Sequence, residues 1–214
     1  MSDLVQRSIG DAATDGIAPD RTVRPCRSVR YAPGEGISHP RPGDVILICE
    51  KGWLGRFIRF FQRRRYRTKN DRQFTHWSHV ALIVSPVGHL IEVAARGVIL
   101  TRIEKYRNRE YHYVYLDLTG DERREIVRFA QSCLKQRYGV FGFVVFGLAL
   151  LSGDRFRVPD RGQQGCGALV VRALQRAGMT FERRPTEMMP ADLAKRFGVP
   201  PPDPSPACDE RRAV

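Results

Sequence analysis

The sequence predicts an α+β fold, in which an antiparallel sheet packs against helices. Short apolar runs rich in β-branched residues come first along the folded part of the chain, and helical patterns are grouped after them. The chain has 214 residues, of which 42% are hydrophobic and 28% are charged, and this composition is typical of a globular domain with its own core.

Only the middle of the chain is predicted to fold. Residues 1–39 carry turn-like clusters without periodicity and are expected to form a mostly disordered N-terminal arm. Residues 199–214 contain closely spaced prolines, which cannot continue a helix or a central strand, and are expected to form a flexible tail. The folded domain is therefore predicted at 40–198.

Four strands and four helices are predicted within this domain. Period-2 and β-branched patterns predict the strands at 44–49, 78–84, 90–95 and 111–118. Amphipathic patterns and start signals predict the helices at 53–66, at 119–137, from about residue 165 and after residue 190.

The formal net charge of +13 favours an anionic partner, and much of the charge lies in residues 56–72. The functional interpretation is an anionic-surface site built from Arg56, Arg59, Arg63, Arg64 and Arg65, with peripheral membrane contact. The structural alternative is a solvated face with an aromatic stripe turned toward the core. Nucleic acid is the less favoured partner because no readout motif accompanies the charge.

Cofactors, metals and export are not predicted. The five cysteines are scattered without a Cys-x-x-Cys pair, and His76, His89 and His112 have no ligand set around them. The chain start has no apolar leader, and the longest uncharged run, 138–153, is shorter than the roughly 20 residues of a membrane span. We therefore expect a cytoplasmic protein that contacts at most the inner membrane face.

Three residues stand out as a candidate site. With a short hairpin between the second and third predicted strands, His79 and Glu92 project from the same sheet face as close neighbours. A carboxylate beside an imidazole fixes its tautomer and raises its basicity. Cys166 begins an apolar helix, where the helix N-terminus and a nearby imidazolium stabilise a thiolate. These are the groups that covalent acyl transfer needs.

The order of these segments resembles a known family. Pro-Gly-Asp at 42–44, Ser-His-Val-Ala-Leu at 78–82, Ile-Glu-Val-Ala at 91–94 and Cys-Gly-Ala-Leu-Val at 166–170 look like the strand and helix motifs of the NlpC superfamily. Because the cysteine helix comes last, the chain resembles the circularly permuted papain-like hydrolases of the YaeF and YiiX type. The resemblance covers roughly 41–195 and implies a permuted papain-like fold.

The resemblance implies a cysteine-dependent amidase, peptidase or acyltransferase. Cys166 would be the nucleophile, His79 the general base and Glu92 the orienting carboxylate, with the oxyanion held by the Cys166 backbone N–H. Tyr138, Gln164 and Trp77 are weaker candidates for contacts to a small amide, peptide or lipid-like substrate. No metal or organic cofactor is required.

Each assignment has a structural alternative. Gly167 departs from the family, which has Ser after the nucleophile. Cys166 could be a core thiol, His79 a satisfied strand histidine, and Glu92 the partner of Arg96 or Arg102. The apolar stretch 138–151 fits either a core helix or a cover over the cleft. The alternative function is a non-enzymatic basic protein that binds anionic lipid or nucleic acid through residues 56–72.

Overall fold

The computed structural model describes residues 25–94, 97–134 and 165–202. These residues form an α+β fold around one six-stranded sheet with the strand order β1-β6-β2-β3-β4-β5, in which neighbouring strands run antiparallel. The strands are β1 (Pro25–Tyr31), β2 (Val45–Ile48), β3 (His79–Ile83), β4 (His89–Ala94), β5 (Gly97–Arg102) and β6 (Tyr111–Leu116). The predicted α+β class is thus confirmed.

The sequence-based prediction misses the two edge strands of the sheet. The prediction of a disordered arm over residues 1–39 is wrong for β1, which pairs with β6 from Arg27 opposite Tyr115 to Tyr31 opposite Tyr111. The other missed strand, β5, pairs with β4 at the opposite edge of the sheet. Both lie at edges, where one side of the strand has no neighbour and the apolar pattern is weak.

Five helices accompany the sheet in the described residues. Their bounds are α1 (Trp53–Arg65), α2 (Lys69–Arg72), α3 (Gly120–Ser132), α4 (Cys166–Gln175) and α5 (Pro190–Arg196). A capping box starts α3, because the Thr119 hydroxyl accepts from the Glu122 N–H while the Glu122 carboxylate accepts from the Thr119 N–H. This helix ends five residues before the predicted end at 137, with Cys133 as its C-cap.

The sheet buries apolar side chains on both faces. On one face, α4 packs against β3 and β4, where Val80, Leu82, Ile91 and Val93 belong to the larger core. The other face carries a smaller core that includes Ile83 and the tyrosines near β6. Since side chains alternate along a strand, His79 and Glu92 belong to this second face.

A buried carboxylate joins the sheet to α3. Asp44 is fully buried and accepts hydrogen bonds from the Tyr113 hydroxyl at 2.9 Å, the Leu116 N–H at 3.1 Å and Arg123 Nη1 at 2.9 Å. Gly43 precedes it with a φ of 91°, in the left-handed region that favours glycine. Through these hydrogen bonds of Asp44, the Pro-Gly-Asp motif connects β2 to β6 and α3.

The beginning of the predicted tail belongs to the folded domain. Val199 is fully buried, and its N–H donates to the Ala194 carbonyl. The rest of the tail from residue 203 and the apolar stretch 138–151 lie outside the described residues. Within the described ranges, no helix combines the length and the apolar character that crossing a bilayer requires.

Candidate active site

The structure brings His79 and Glu92 together. His79 is the first residue of β3, and the β3–β4 register pairs Leu82 with Ile91 and Ile83 with Leu90. Continuing this register places Glu92 diagonally across from His79 on the same face. The His79 Nε2 and Glu92 Oε2 atoms lie 2.6 Å apart, and both residues are buried, so the carboxylate fixes the imidazole.

Cys166 lies on the other side of the same imidazole. It is the first residue of α4, follows Gly165 as N-cap and is 3% exposed, and its thiol lies close enough to the His79 imidazole to raise the pKa of that ring. Because Nε2 of His79 is taken by Glu92, Nδ1 is the ring nitrogen that remains for the Cys166 sulfur. The imidazole thus bridges a thiol and a carboxylate.

The surroundings of His79 favour its charged form. Burial alone lowers the pKa of this imidazole, but the hydrogen bonds and charges of Cys166 and Glu92 outweigh it and raise the pKa to about 9. Burial would raise the pKa of Glu92, yet its hydrogen bonds to His79, Lys105 and Tyr106 lower the pKa to about 2. His79 and its partners therefore stabilise the imidazolium that forms when the imidazole takes up the proton of the Cys166 thiol.

Two further residues, which the sequence does not reveal, hold Glu92. Lys105 Nζ donates to Glu92 Oε1 at 2.7 Å, and the Tyr106 hydroxyl donates to Oε2, the oxygen that also faces His79. Both belong to a short 3-10 turn directly after β5. Since β5 itself was not predicted, no sequence pattern placed this turn beside the hairpin. The structural alternative paired Glu92 with Arg96 or Arg102. The cation bonded to Glu92 is Lys105 instead of Arg102, and Arg96 lies outside the described residues.

The glycine after Cys166 has a packing reason. A Cβ built at Gly167 would lie 2.3 Å from the Met188 carbonyl oxygen, closer than any side chain tolerates. The chain before α5 therefore passes directly against the first turn of α4. The helix nevertheless begins at Cys166, so this departure from the family pattern leaves the position of the thiol at the helix N-terminus intact.

Two of the five arginines that were predicted to bind an anionic surface bond to the protein itself. Arg59 turns inward, where its Nη1 donates to the Glu50 carbonyl at 2.6 Å. Arg65 turns toward α5, and its Nη1 donates to the Glu187 carbonyl at 2.7 Å. Both guanidinium groups donate hydrogen bonds to backbone carbonyls, so these two arginines have a structural role. The remaining members, Arg56, Arg63 and Arg64, are exposed.

Of the three weaker substrate candidates, the structure describes Trp77 alone. Trp77 has no exposed surface, and its indole N–H donates to the Val199 carbonyl at 3.1 Å, so it is a core residue rather than a substrate contact. Tyr138 and Gln164 lie outside the described residues.

Two histidines pack against Trp77 without joining the site. The rings of His76 and His112 lie 4.8 and 5.0 Å from the Trp77 ring. Burial lowers the pKa of each to about 4. Among the residues that the structure describes, no group of three or more His, Cys, Asp or Glu side chains could hold a metal ion.

Comparisons with known proteins add no relative to this picture. No protein-family model matches the chain, and no curated protein matches it. The arrangement of Cys166, His79 and Glu92 must therefore be judged by its own chemistry. A thiol at a helix N-terminus, beside an imidazole that a carboxylate orients, is equipped for nucleophilic attack on a carbonyl carbon.

Proposed function

We propose that the chain is a cysteine hydrolase or acyltransferase that cleaves an amide or ester bond through a thioester intermediate. One observation carries the proposal: a single buried imidazole, His79, contacts both the Cys166 thiol and the Glu92 carboxylate. A core thiol has no need of a polar partner, and a structural histidine has no need of a cysteine.

The order of the elements supports a permuted papain-like fold for this enzyme. The resemblance implies an antiparallel sheet packed against helices, with the cysteine at the N-terminus of a helix. Here α4 packs against β3 and β4, the two strands that carry His79 and Glu92, although it follows them in the chain. The spatial arrangement is thus compatible with a rotated order of the same parts.

The first half of the reaction forms the thioester. Cys166 gives its proton to His79, and its sulfur forms a bond to the substrate carbonyl carbon while the carbonyl electron pair moves to oxygen. When this adduct collapses, the bond to the leaving amine or alcohol breaks. The imidazolium of His79 gives that group its proton, which balances the charge.

The second half releases the acyl group. Water, or an acceptor hydroxyl or amine in a transferase, attacks the thioester carbonyl while His79 accepts its proton. The C–S bond then breaks and the sulfur regains a proton from His79. Glu92 keeps the imidazole oriented throughout and stabilises its charged form.

The N-terminus of α4 supplies stabilisation for the developing negative oxygen. The first backbone N–H groups of a helix have no acceptor within the helix, and Gly165 provides no side-chain cap. The Cys166 N–H is therefore available to the oxyanion, and the helix dipole favours negative charge at this point.

The substrate belongs to one of two classes. The resemblance favours a small amide or peptide, whereas the basic helix beside the site favours a lipid-like ester or amide. The alternative function, a basic protein that binds anionic lipid or nucleic acid without catalysis, would use α1 and would not need an activated thiol. The reactivity of Cys166 separates these two functions.

Site-resolved alkylation of the full chain by iodoacetamide between about pH 5 and pH 9 tests the proposal. Cys166 should react fastest, and at pH values where an ordinary thiol stays protonated. Its advantage should disappear in His79→Ala and shrink in Glu92→Gln.

Cys133 is the internal control, because it is also 3% exposed and burial raises its pKa. Equal rates for Cys133 and Cys166 at every pH would refute an activated nucleophile. A fast Cys166 that stays fast in His79→Ala would refute the role of the histidine.

A further inference from the structure

The exposed side chains of α1 form a single face. Trp53 is 69% exposed and Phe60 48%, and the outer arginines, Arg56, Arg63 and Arg64, are exposed beside them. With 3.6 residues per turn, these five positions fall within an arc of about 100°. The two aromatic residues lie in its middle and the outer arginines at both margins.

This face carries positive charge without local neutralisation. The first turn of α1 has no acidic residue, and the outer arginines form no ion pair with any residue in the described ranges. The Arg64 guanidinium lies 4.9 Å from the centre of the Phe60 ring, so cation and aromatic surface point the same way. The face therefore combines apolar area with cations that have no ion-pair partner in the part of the chain that the structure describes.

We propose that this face of α1 docks the protein on an anionic lipid bilayer. In an interfacial helix, aromatic side chains enter the boundary between headgroups and acyl chains, and flanking arginines contact the lipid phosphates. Exposed tryptophan and phenylalanine between arginines fit that arrangement. A nucleic acid would use the charge but would leave the apolar centre of the face without a role.

The inner side of the same helix connects the docking face to the candidate active site. Arg59 Nη1 bonds the Glu50 carbonyl and lies 3.4 Å from the hydroxyl of Ser78, the residue before His79. Docking through α1 therefore places the site beside the bilayer. The proposal does not depend on catalysis, and Cys166→Ala should bind vesicles as the unmodified chain does.

Tryptophan fluorescence gives a direct reading of the docking face. The chain has two tryptophans, and Trp77 is fully buried with its N–H bonded. In a titration of the full chain with vesicles of phosphatidylcholine and phosphatidylglycerol, a blue shift of the emission should report entry of Trp53 into the bilayer. Trp53→Phe should abolish the shift and retain binding, because phenylalanine keeps the apolar contact.

Charge-matched variants test whether the face or the net charge is responsible. Replacing the three outer arginines by Gln should weaken co-sedimentation on the order of fivefold per arginine. The control variant Arg102→Gln/Arg183→Gln/Arg184→Gln removes the same charge from exposed positions outside α1 and should bind nearly as before.

Three results would overturn the proposal. Equal weakening in both triple variants would mean attraction by net charge alone. Binding without a blue shift would mean that Trp53 stays in water. A shift caused by a single-stranded oligonucleotide and not by the vesicles would assign the face to nucleic acid. Vesicles of phosphatidylcholine alone should bind weakly, since they lack the anionic headgroup.

Discussion

Glu92 accepts three hydrogen bonds in a place that water hardly reaches. His79 and Tyr106 share Oε2, and Lys105 occupies Oε1, while the residue as a whole is 1% exposed. A buried carboxylate without such donors would take up a proton to avoid its charge. These contacts therefore keep Glu92 ionised, and an ionised Glu92 keeps His79 oriented.

Tyr106→Phe should weaken both the fold and the site. Loss of a hydrogen bond to a buried carboxylate lowers the free energy of unfolding by about 1–3 kcal/mol and raises the pKa of Glu92. With the carboxylate less firmly held, the alkylation rate of Cys166 should fall about fivefold, which corresponds to about 1 kcal/mol. Urea unfolding and site-resolved alkylation measure the two effects.

Tyr113→Phe is the matched control. Tyr113 is equally buried and also donates to a buried carboxylate, that of Asp44, on the far side of β2 from β3. It should lose comparable stability without slowing alkylation of Cys166. If both variants slow the alkylation alike, Tyr106 acts only through general stability and has no positioning role.

Sequence patterns alone predict some of the residues of the candidate site. Strand alternation and a glycine-flanked helix start are local patterns, and they were enough to select His79, Glu92 and Cys166. Lys105 and Tyr106 reach Glu92 only because the chain after β5 folds back over the sheet. Such a contact depends on the path of the chain, which no pattern of spacing encodes.

The start of α4 depends on close backbone packing. Gly167→Ala would bring a methyl group within 2.3 Å of the Met188 carbonyl oxygen, so the segment before α5 would have to move away. We expect a loss of about 1–3 kcal/mol in the free energy of unfolding, as for other overpacked positions. Urea unfolding measures this loss.

Gly120→Ala gives the comparison for α3. Its added Cβ meets only the Arg124 side chain at 3.5 Å, which is ordinary contact. Alanine favours a helix over glycine by up to about 1 kcal/mol, so this variant should be neutral or more stable. A Gly167→Ala protein as stable as Gly120→Ala would contradict the packing described for α4.

Some strands have a local sequence pattern that predicts them, and the two edge strands do not. The central strands β2 and β3 are buried on both faces, so their apolar runs are long enough to predict them. In β1, Arg27, Ser28 and Arg30 are exposed and only Val29 and Tyr31 are partly buried, and its pairing partner lies some 80 residues away in the chain. The sequence between β4 and β5 has no Asn-Gly or Asp-Gly pair that would predict a hairpin, and Gly97, the first residue of β5, has a φ of 119°.

The stability of the whole molecule should depend on two histidines outside the site. The side-chain nitrogens of His112 and Nε2 of His76 are buried and have no hydrogen-bond partner among the described residues. For His112, burial and, to a smaller extent, the charge of Arg30 lower the pKa from 6.5 to about 4. Below pH 6.5 the unfolded chain therefore binds a proton that the folded chain does not, and stability falls as the pH falls.

His112→Phe should remove this part of the pH dependence. Between pH 8 and pH 5 the His112 contribution amounts to about 2 kcal/mol, so the variant should gain about that much over the unmodified chain at pH 5 relative to pH 8. Phenylalanine also fits beside the Trp77 ring without unpaired polar atoms. Urea titrations at both pH values check the result. A stability difference that is the same at pH 5 and pH 8 would show that folding does not change the pKa of His112.

The position of α4 after all six strands has a consequence for the order of synthesis. A growing chain produces His79 and Glu92 first, and the strands that bring them together can pair before residue 166 exists. The thiol then arrives last, at an imidazole that its carboxylate already orients. A chain interrupted before α4 would contain His79 and Glu92 without Cys166. Such an incomplete copy would have no nucleophile and so no activity.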